Sequence, residues 1–170
     1  MKRRVVALIV TFQLVAAPVQ ASDFAGVVTR VSDGDTVWVR PDGERRLPVK
    51  LRLQGIDAPE RCQAWGEQSS AALSARVLGQ RVEVHSRARD DHGRLLVELR
   101  LQSGGADIGA WMVDRGHAWS NRYRHHPGPY ATQEAQARAA RRGLFQDPHA
   151  ELPRQFRKRH GPCGPGRARG

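Results

Sequence analysis

The chain has 170 residues, 39% of them hydrophobic, and carries 28 Lys and Arg against 17 Asp and Glu, a formal net charge of +11. That length holds one domain with a real core plus its ends, and no internal repeat argues for a solenoid. The positive surplus favours polyanionic partners through counterion release and long-range steering, but by itself it does not imply that they are cut.

The chain opens with Lys2, Arg3 and Arg4, then an apolar stretch over residues 5–17 and the small-residue pattern Val19-Gln20-Ala21 before Ser22. This reads as a signal peptide over residues 1–21, because Thr11 and Gln13 interrupt a run too short to span a bilayer well. An uncleaved anchor is the alternative reading. No later segment is suited to crossing a membrane, so the mature chain is expected to be exported, to the periplasm or the medium, without stable membrane insertion.

Residues 24–32 (FAGVVTRVS) read as a strand, Asp33-Gly34 as a turn dipeptide, and residues 35–40 as the returning strand of a hairpin. After the turn at Pro41-Asp42-Gly43, residues 45–56 form a third strand, with Leu51, Leu53 and Ile56 apolar and Arg52 and Gln54 between the first two. Gly55 interrupts this alternation and marks a bulge or a close backbone approach. Pro59 stops the strand, since it has no N–H for a ladder and biases Ala58 towards an extended conformation. One short segment thus brings Arg52, Asp57 and Glu60 to the end of a rigid element, where scaffolds commonly mount chemistry.

The period then changes. Residues 65–78 space their apolar positions as a helix stopped by Gly79. Residues 81–89 and 94–101 are the fourth and fifth strands, joined by the turn Asp90-Asp91-His92-Gly93. A short helix follows over 108–115, then an irregular stretch over 118–129. A helix over 132–142 carries a Glu134–Arg138 pair at i, i+4 and ends at Gly143. Beyond Asp147-Pro148, Gly, Pro and Arg dominate, so residues 151–170 are expected to be a disordered basic tail. The order describes a mainly β domain with helices (α+β) over residues 22–150, a five-stranded OB-fold barrel with about three α-helices. Cys62 and Cys163 can pair in an oxidising compartment, which would pin the tail near the loop after Asp57, or they can stay free or bridge two chains.

If the strand ends converge on one rim, Asp35, Asp57, Glu60, Arg52 and Arg94 form a set with a recognisable chemistry. Two carboxylates without His or Cys suit a hard divalent cation completed by backbone oxygen and water. A third carboxylate can orient or deprotonate a water, and two guanidinium forks can hold a phosphate and the charge that grows on it. Each member alone reads as a surface charge; the combination reads as a phosphodiester-hydrolysing site.

The runs Asp33-Gly34-Asp35-Thr36, RLQGIDAPE over residues 52–60, Asp90-Asp91-His92-Gly93-Arg94 and EAQARAARRGLF over residues 134–145 resemble the staphylococcal-nuclease-like (thermonuclease) family in order and spacing. The resemblance covers about residues 25–147. It implies an OB barrel and Ca²⁺-dependent cleavage of DNA and RNA to 5′-hydroxyl and 3′-phosphate ends, by what is expected to be a monomer. It further implies that Asp35, Asp57 and the backbone carbonyl of Ala58 bind the calcium, that Glu60 activates or positions the water, and that Arg52 and Arg94 hold the scissile phosphate. Asp91-His92 replaces the family's Lys-Tyr pair, leaving His92 as a nucleotide contact. Of the two base-stacking tyrosines, Tyr123 remains, and Phe145 stands where a Trp is common. A non-catalytic nucleic-acid-binding OB module is the rival reading, against which stands the retention of all five ionic residues together.

Overall fold

A computed structural model describes residues 22–43, 46–122 and 125–163. The expected leader over residues 1–21, the stacking candidate Tyr123 and the tail from residue 164 lie outside the described residues. The elements in order are β1 (Ser22–Asp33), β2 (Thr36–Pro41), β3 (Val49–Leu53), β4 (Ile56–Asp57), α1 (Gly66–Val77), β5 (Arg81–Arg89) and β6 (Leu95–Leu101). There follow α2 (Ile108–Asp114), β7 (Trp119–Ser120), α3 (Ala131–Ala139), a 3-10 turn over Gly143–Gln146, and α4 (Pro153–His160).

Strands β1-β2-β3-β6-β5 close into a barrel, which bears out the five-stranded OB-type expectation. Closure depends on β1, whose first half pairs with β5 and whose second half pairs with β2. Two register shifts between Val28 and Asp33 bend it between these partners, as bulges do. Alternate residues point inwards: Val37 and Val39, Leu51 and Leu53, Val82 and Val84, and Val97, Leu99 and Leu101 are buried. Leu73 and Val77 of α1, and Ile108, Met112 and Val113 of α2, complete this core. A second cluster joins Trp119, Ala137, Leu144 and Phe145, with Trp65, Ala150 and Leu152 packed against it.

Two differences from the sequence expectation matter for the site. The third strand is broken, because Gly55 takes φ 75° and the chain leaves the barrel to pair Ile56 and Asp57 with Ser120 and Trp119. A side chain at Gly55 would also meet Pro129 at 2.6 Å, so the close approach expected there is real. The second difference lies in the tail. Among the described residues there are four α-helices rather than about three, and the additional one, α4, falls where composition predicts disorder. Residues up to 163 are ordered there because a disulfide joins Cys62 to Cys163, with the Cα atoms 5.8 Å apart. Closing a loop of 101 residues restricts the unfolded chain by about 4–5 kcal/mol in the chain-entropy view. Low hydrophobicity in the tail is therefore compensated by a covalent tie that composition does not register.

Candidate active site

Strand register sets the centre of the site. Thr36 of β2 pairs with Arg52 of β3, so Asp35, one residue earlier, reaches the Arg52 guanidinium. The Leu53 N–H donates to the Asp35 carbonyl at 2.8 Å and fixes that turn on the barrel rim. Gly34 in the same turn has no room for a side chain: a Cβ would lie 2.0 Å from Ser69 Oγ on α1 and 2.8 Å from Ala58 Cβ. This contact presses the Asp35 turn against the Asp57–Glu60 segment. Asp35 is 4% exposed and accepts from Thr36 Oγ1 at 3.0 Å and from the Ala58 N–H at 3.2 Å.

Arg52 bridges the two halves. Its guanidinium pairs with Asp35 Oδ1, lies 3.5 Å from Asp57 Oδ1 and donates to the Ile56 carbonyl at 3.5 Å. Burial disfavours its charge, but the Asp35 and Asp57 carboxylates outweigh that, and its pKa is raised overall. Burial also raises Asp57 above its ordinary value, against the opposing pull of Arg157. Asp33 is pushed up to about 6 by burial and by the adjacent Asp35 charge. Negative charge is thus crowded at this point.

The parallel pairing of β3 with β6 brings in the other arginine. Leu51 lies opposite Leu95, so Arg94, the residue just before β6, stands beside the strand that carries Arg52. Arg94 is held by its own turn: Asp90 Oδ2 takes its Nε–H at 2.6 Å, and Asp90 Oδ1 accepts the backbone N–H groups of His92 and Arg94. These bonds keep the Asp90 carboxyl below its ordinary value although desolvation opposes them.

Glu60 is set by a tight loop in which its N–H donates to Gln63 Oε1 at 3.0 Å and its carbonyl accepts from the Gln63 N–H at 2.8 Å. Its carboxylate Oε1 takes Arg157 Nη1 at 2.6 Å, and the same nitrogen lies 3.7 Å from Asp57 Oδ1. A cleft of about 750 Å³ is lined by Asp33, Asp35, Arg52, Ala58, Glu60, His92, Arg94 and Arg157, with Lys50 and Asn121 beside them. Every residue nominated from the sequence therefore borders the cleft or touches a residue that does, except Tyr123, which is not described. Asp57 is the one reached through Arg52 and Arg157.

Asp35, Asp57 and the Ala58 carbonyl are the oxygen donors that a hard cation would take at this site. In chemistry the two carboxylates and the carbonyl suit such an ion, while Arg52 engages both carboxylates here and no group of three or more His, Cys, Asp or Glu among the described residues converges on one point. Arg157 was not foreseen. Its signal was the pair of cysteines, since a Cys62–Cys163 bond places the tail beside the loop after Asp57.

Comparison with known proteins agrees with this architecture. Residues 50–147 match the family model described as staphylococcal nuclease homologue. "Protein ParB" of Escherichia coli is 37% identical over 171 residues, covering 93% of this chain and 95% of that protein. "Micrococcal nuclease" of Shigella flexneri is 37% identical over 156 residues, covering 85% and 86% respectively. An "uncharacterized endonuclease" of Escherichia coli is 35% identical over 130 residues, covering 76% and 82%. With its closed five-stranded barrel, this extent of match means that the chain belongs to the staphylococcal nuclease homologue family.

Proposed function

We propose that the chain is an exported nuclease that hydrolyses phosphodiester bonds of DNA and RNA with Ca²⁺, leaving 5′-hydroxyl and 3′-phosphate ends. The observation that carries the reading is that Asp35, Arg52, Glu60 and Arg94, from three separate stretches of the sequence, border one cleft. Relatives named as nucleases support the activity class.

Asp35, Asp57 and the Ala58 carbonyl would hold the calcium ion, which supplies fixed positive charge against a phosphate oxygen when bound. Glu60 orients a water and accepts its proton as the oxygen attacks phosphorus; the P–O5′ bond breaks and the departing 5′-oxygen takes a proton from solvent. Arg52 and Arg94 donate to the non-bridging oxygens, and both hold more firmly as negative charge accumulates there. Arg52 is kept cationic and oriented by Asp35 and Asp57, so its reorganisation during the reaction is small. His92 lies on the cleft wall where a neighbouring nucleotide would pass. Export rests on the leader-like residues 1–21, and the mature N-terminus is expected at Ser22; no helix among the described residues is long and apolar enough to cross a membrane.

The test is a digestion of single-stranded DNA and of RNA with calcium, magnesium or chelator. Degradation with calcium that stops with chelator supports the reading. Salt-sensitive binding with no product would leave a nucleic-acid-binding module without catalysis.

A further inference from the structure

The helix α4 is fastened to the loop that carries Glu60 at three points. At its start, buried Gln63 donates from Nε2 to the Glu151 carbonyl at 2.6 Å while its Oε1 accepts the Glu60 N–H. At its end, Cys163 is bonded to Cys62, whose N–H also points to Cys163 Sγ at 3.0 Å. Between them, Arg157 reaches Glu60 and Asp57. An eight-residue helix is marginal on its own in water, so these ties decide where it sits.

We propose that Arg157 is a further active-site residue, which positions the Glu60 carboxylate and presents a third guanidinium to the substrate phosphates, and that the Cys62–Cys163 disulfide holds it there. The inference rests on the nuclease reading above and adds to it a residue and a redox dependence. A guanidinium has five N–H donors, and the contacts to both carboxylates are made through Nη1. Arg157 can therefore keep Glu60 in place and still donate to a phosphate oxygen. Its side chain is 42% exposed on the wall that also carries Arg52 and Arg94, so an entering phosphodiester can reach it. Reduction of the disulfide frees the C-terminal end of α4 and leaves the Gln63–Glu151 contact and partly exposed ion pairs, which are too weak to hold so short a helix in place.

The experiment compares oxidised wild type, wild type reduced with dithiothreitol, R157A, R157K and the double variant C62S/C163S. Two readouts are needed: kcat and KM on single-stranded DNA with calcium, and fluorescence anisotropy of a labelled oligonucleotide with chelator present. R157A is expected to lower kcat/KM about tenfold or more and to weaken oligonucleotide binding. R157K should recover more of the binding than of kcat, because an ammonium cannot fork between carboxylate and phosphate. Reduction, or C62S/C163S, should reproduce much of the R157A loss in wild type and add little to R157A. Wild-type kinetics and binding in R157A overturn the proposal, and so does a faster R157A, which would make Arg157 a brake on Glu60. An equal effect of reductant on wild type and R157A removes the link to the disulfide. Absence of cleavage by oxidised wild type refutes the nuclease reading instead, and the anisotropy arm still decides whether Arg157 meets phosphate.

Discussion

Arg52 and Arg94 face the same cleft and are held in opposite ways. Arg52 lies within β3, and its guanidinium is gathered by Asp35 from the turn before β2 and by Asp57 and the Ile56 carbonyl of β4, so it ties two segments of the rim together. Arg94 is held by Asp90, four residues earlier in the same turn, its ion-pair partner among the described residues. One arginine is a structural member of the rim that also faces substrate. The other is mounted on a self-contained hairpin turn. Function and stability are therefore entangled at the first and separable at the second.

Substitution gives the sharpest contrast. R52A should abolish measurable cleavage and also cost up to about 3–5 kcal/mol of stability, because it strands the buried Asp35 carboxylate and takes a cation from half-buried Asp57. Urea denaturation beside a DNA digestion assay reads both. E60Q should lower kcat by about 10²–10⁴-fold, the range for losing a general base, with little change in the urea midpoint. R94A should lower kcat by about 10²–10³-fold, yet leave stability within about 0.5 kcal/mol of wild type. If R94A unfolds as readily as R52A, the contrast fails. D90A should have a smaller effect, about tenfold in kcat/KM, by loosening the turn while the guanidinium remains.

The smallest expected effect lies away from both arginines. His117 accepts from Trp65 Nε1 at 3.2 Å through Nδ1, and burial, then the Arg115 charge, lowers its pKa below the ordinary 6.5. As pH falls below about 6.5, the unfolded chain takes up this proton before the folded one does. Stability present above that pH is therefore lost progressively on acidification, down through the depressed folded value. H117Q should flatten this part of the stability profile in pH-dependent urea melts. An unchanged slope would move the acid sensitivity back to the carboxylates of the cleft.

The barrel and its ionic set were legible because their signals are local. Alternation in Val37 and Val39, or Leu51 and Leu53, marks strands directly, and Asp33-Gly34, Pro59 and Gly93 punctuate them. Asp35, Arg52, Asp57, Glu60 and Arg94 stand at the ends of these elements, so reading the strands also placed the residues. The pairing of β4 with β7 escaped because each strand has two residues and no periodicity to show. Glu134 was legible as a helical partner of Arg138 but not as a buried anchor. Its carboxylate also accepts the Ser120 N–H at 3.0 Å and pairs with Arg122, contacts that depend on the fold around β7. The fourth helix was hidden for a different reason. Residues 153–160 (PRQFRKRH) have almost no apolar face, and their order comes from ties to residues 60–63 that are distant in sequence.

The bond between Cys62 and Cys163 encloses α1, the β5–β6 hairpin and every later helix in a single covalent ring. A protease that nicks the exposed tip at Asp91-His92 would open that ring without releasing a fragment, since each cut end stays chained to the other through sulfur. Denaturation would not part the pieces; only a thiol reagent would. Mass lost from such a nicked molecule is thus set by the redox potential of its surroundings, and the protein can outlast a scission that would dismember an unbridged barrel.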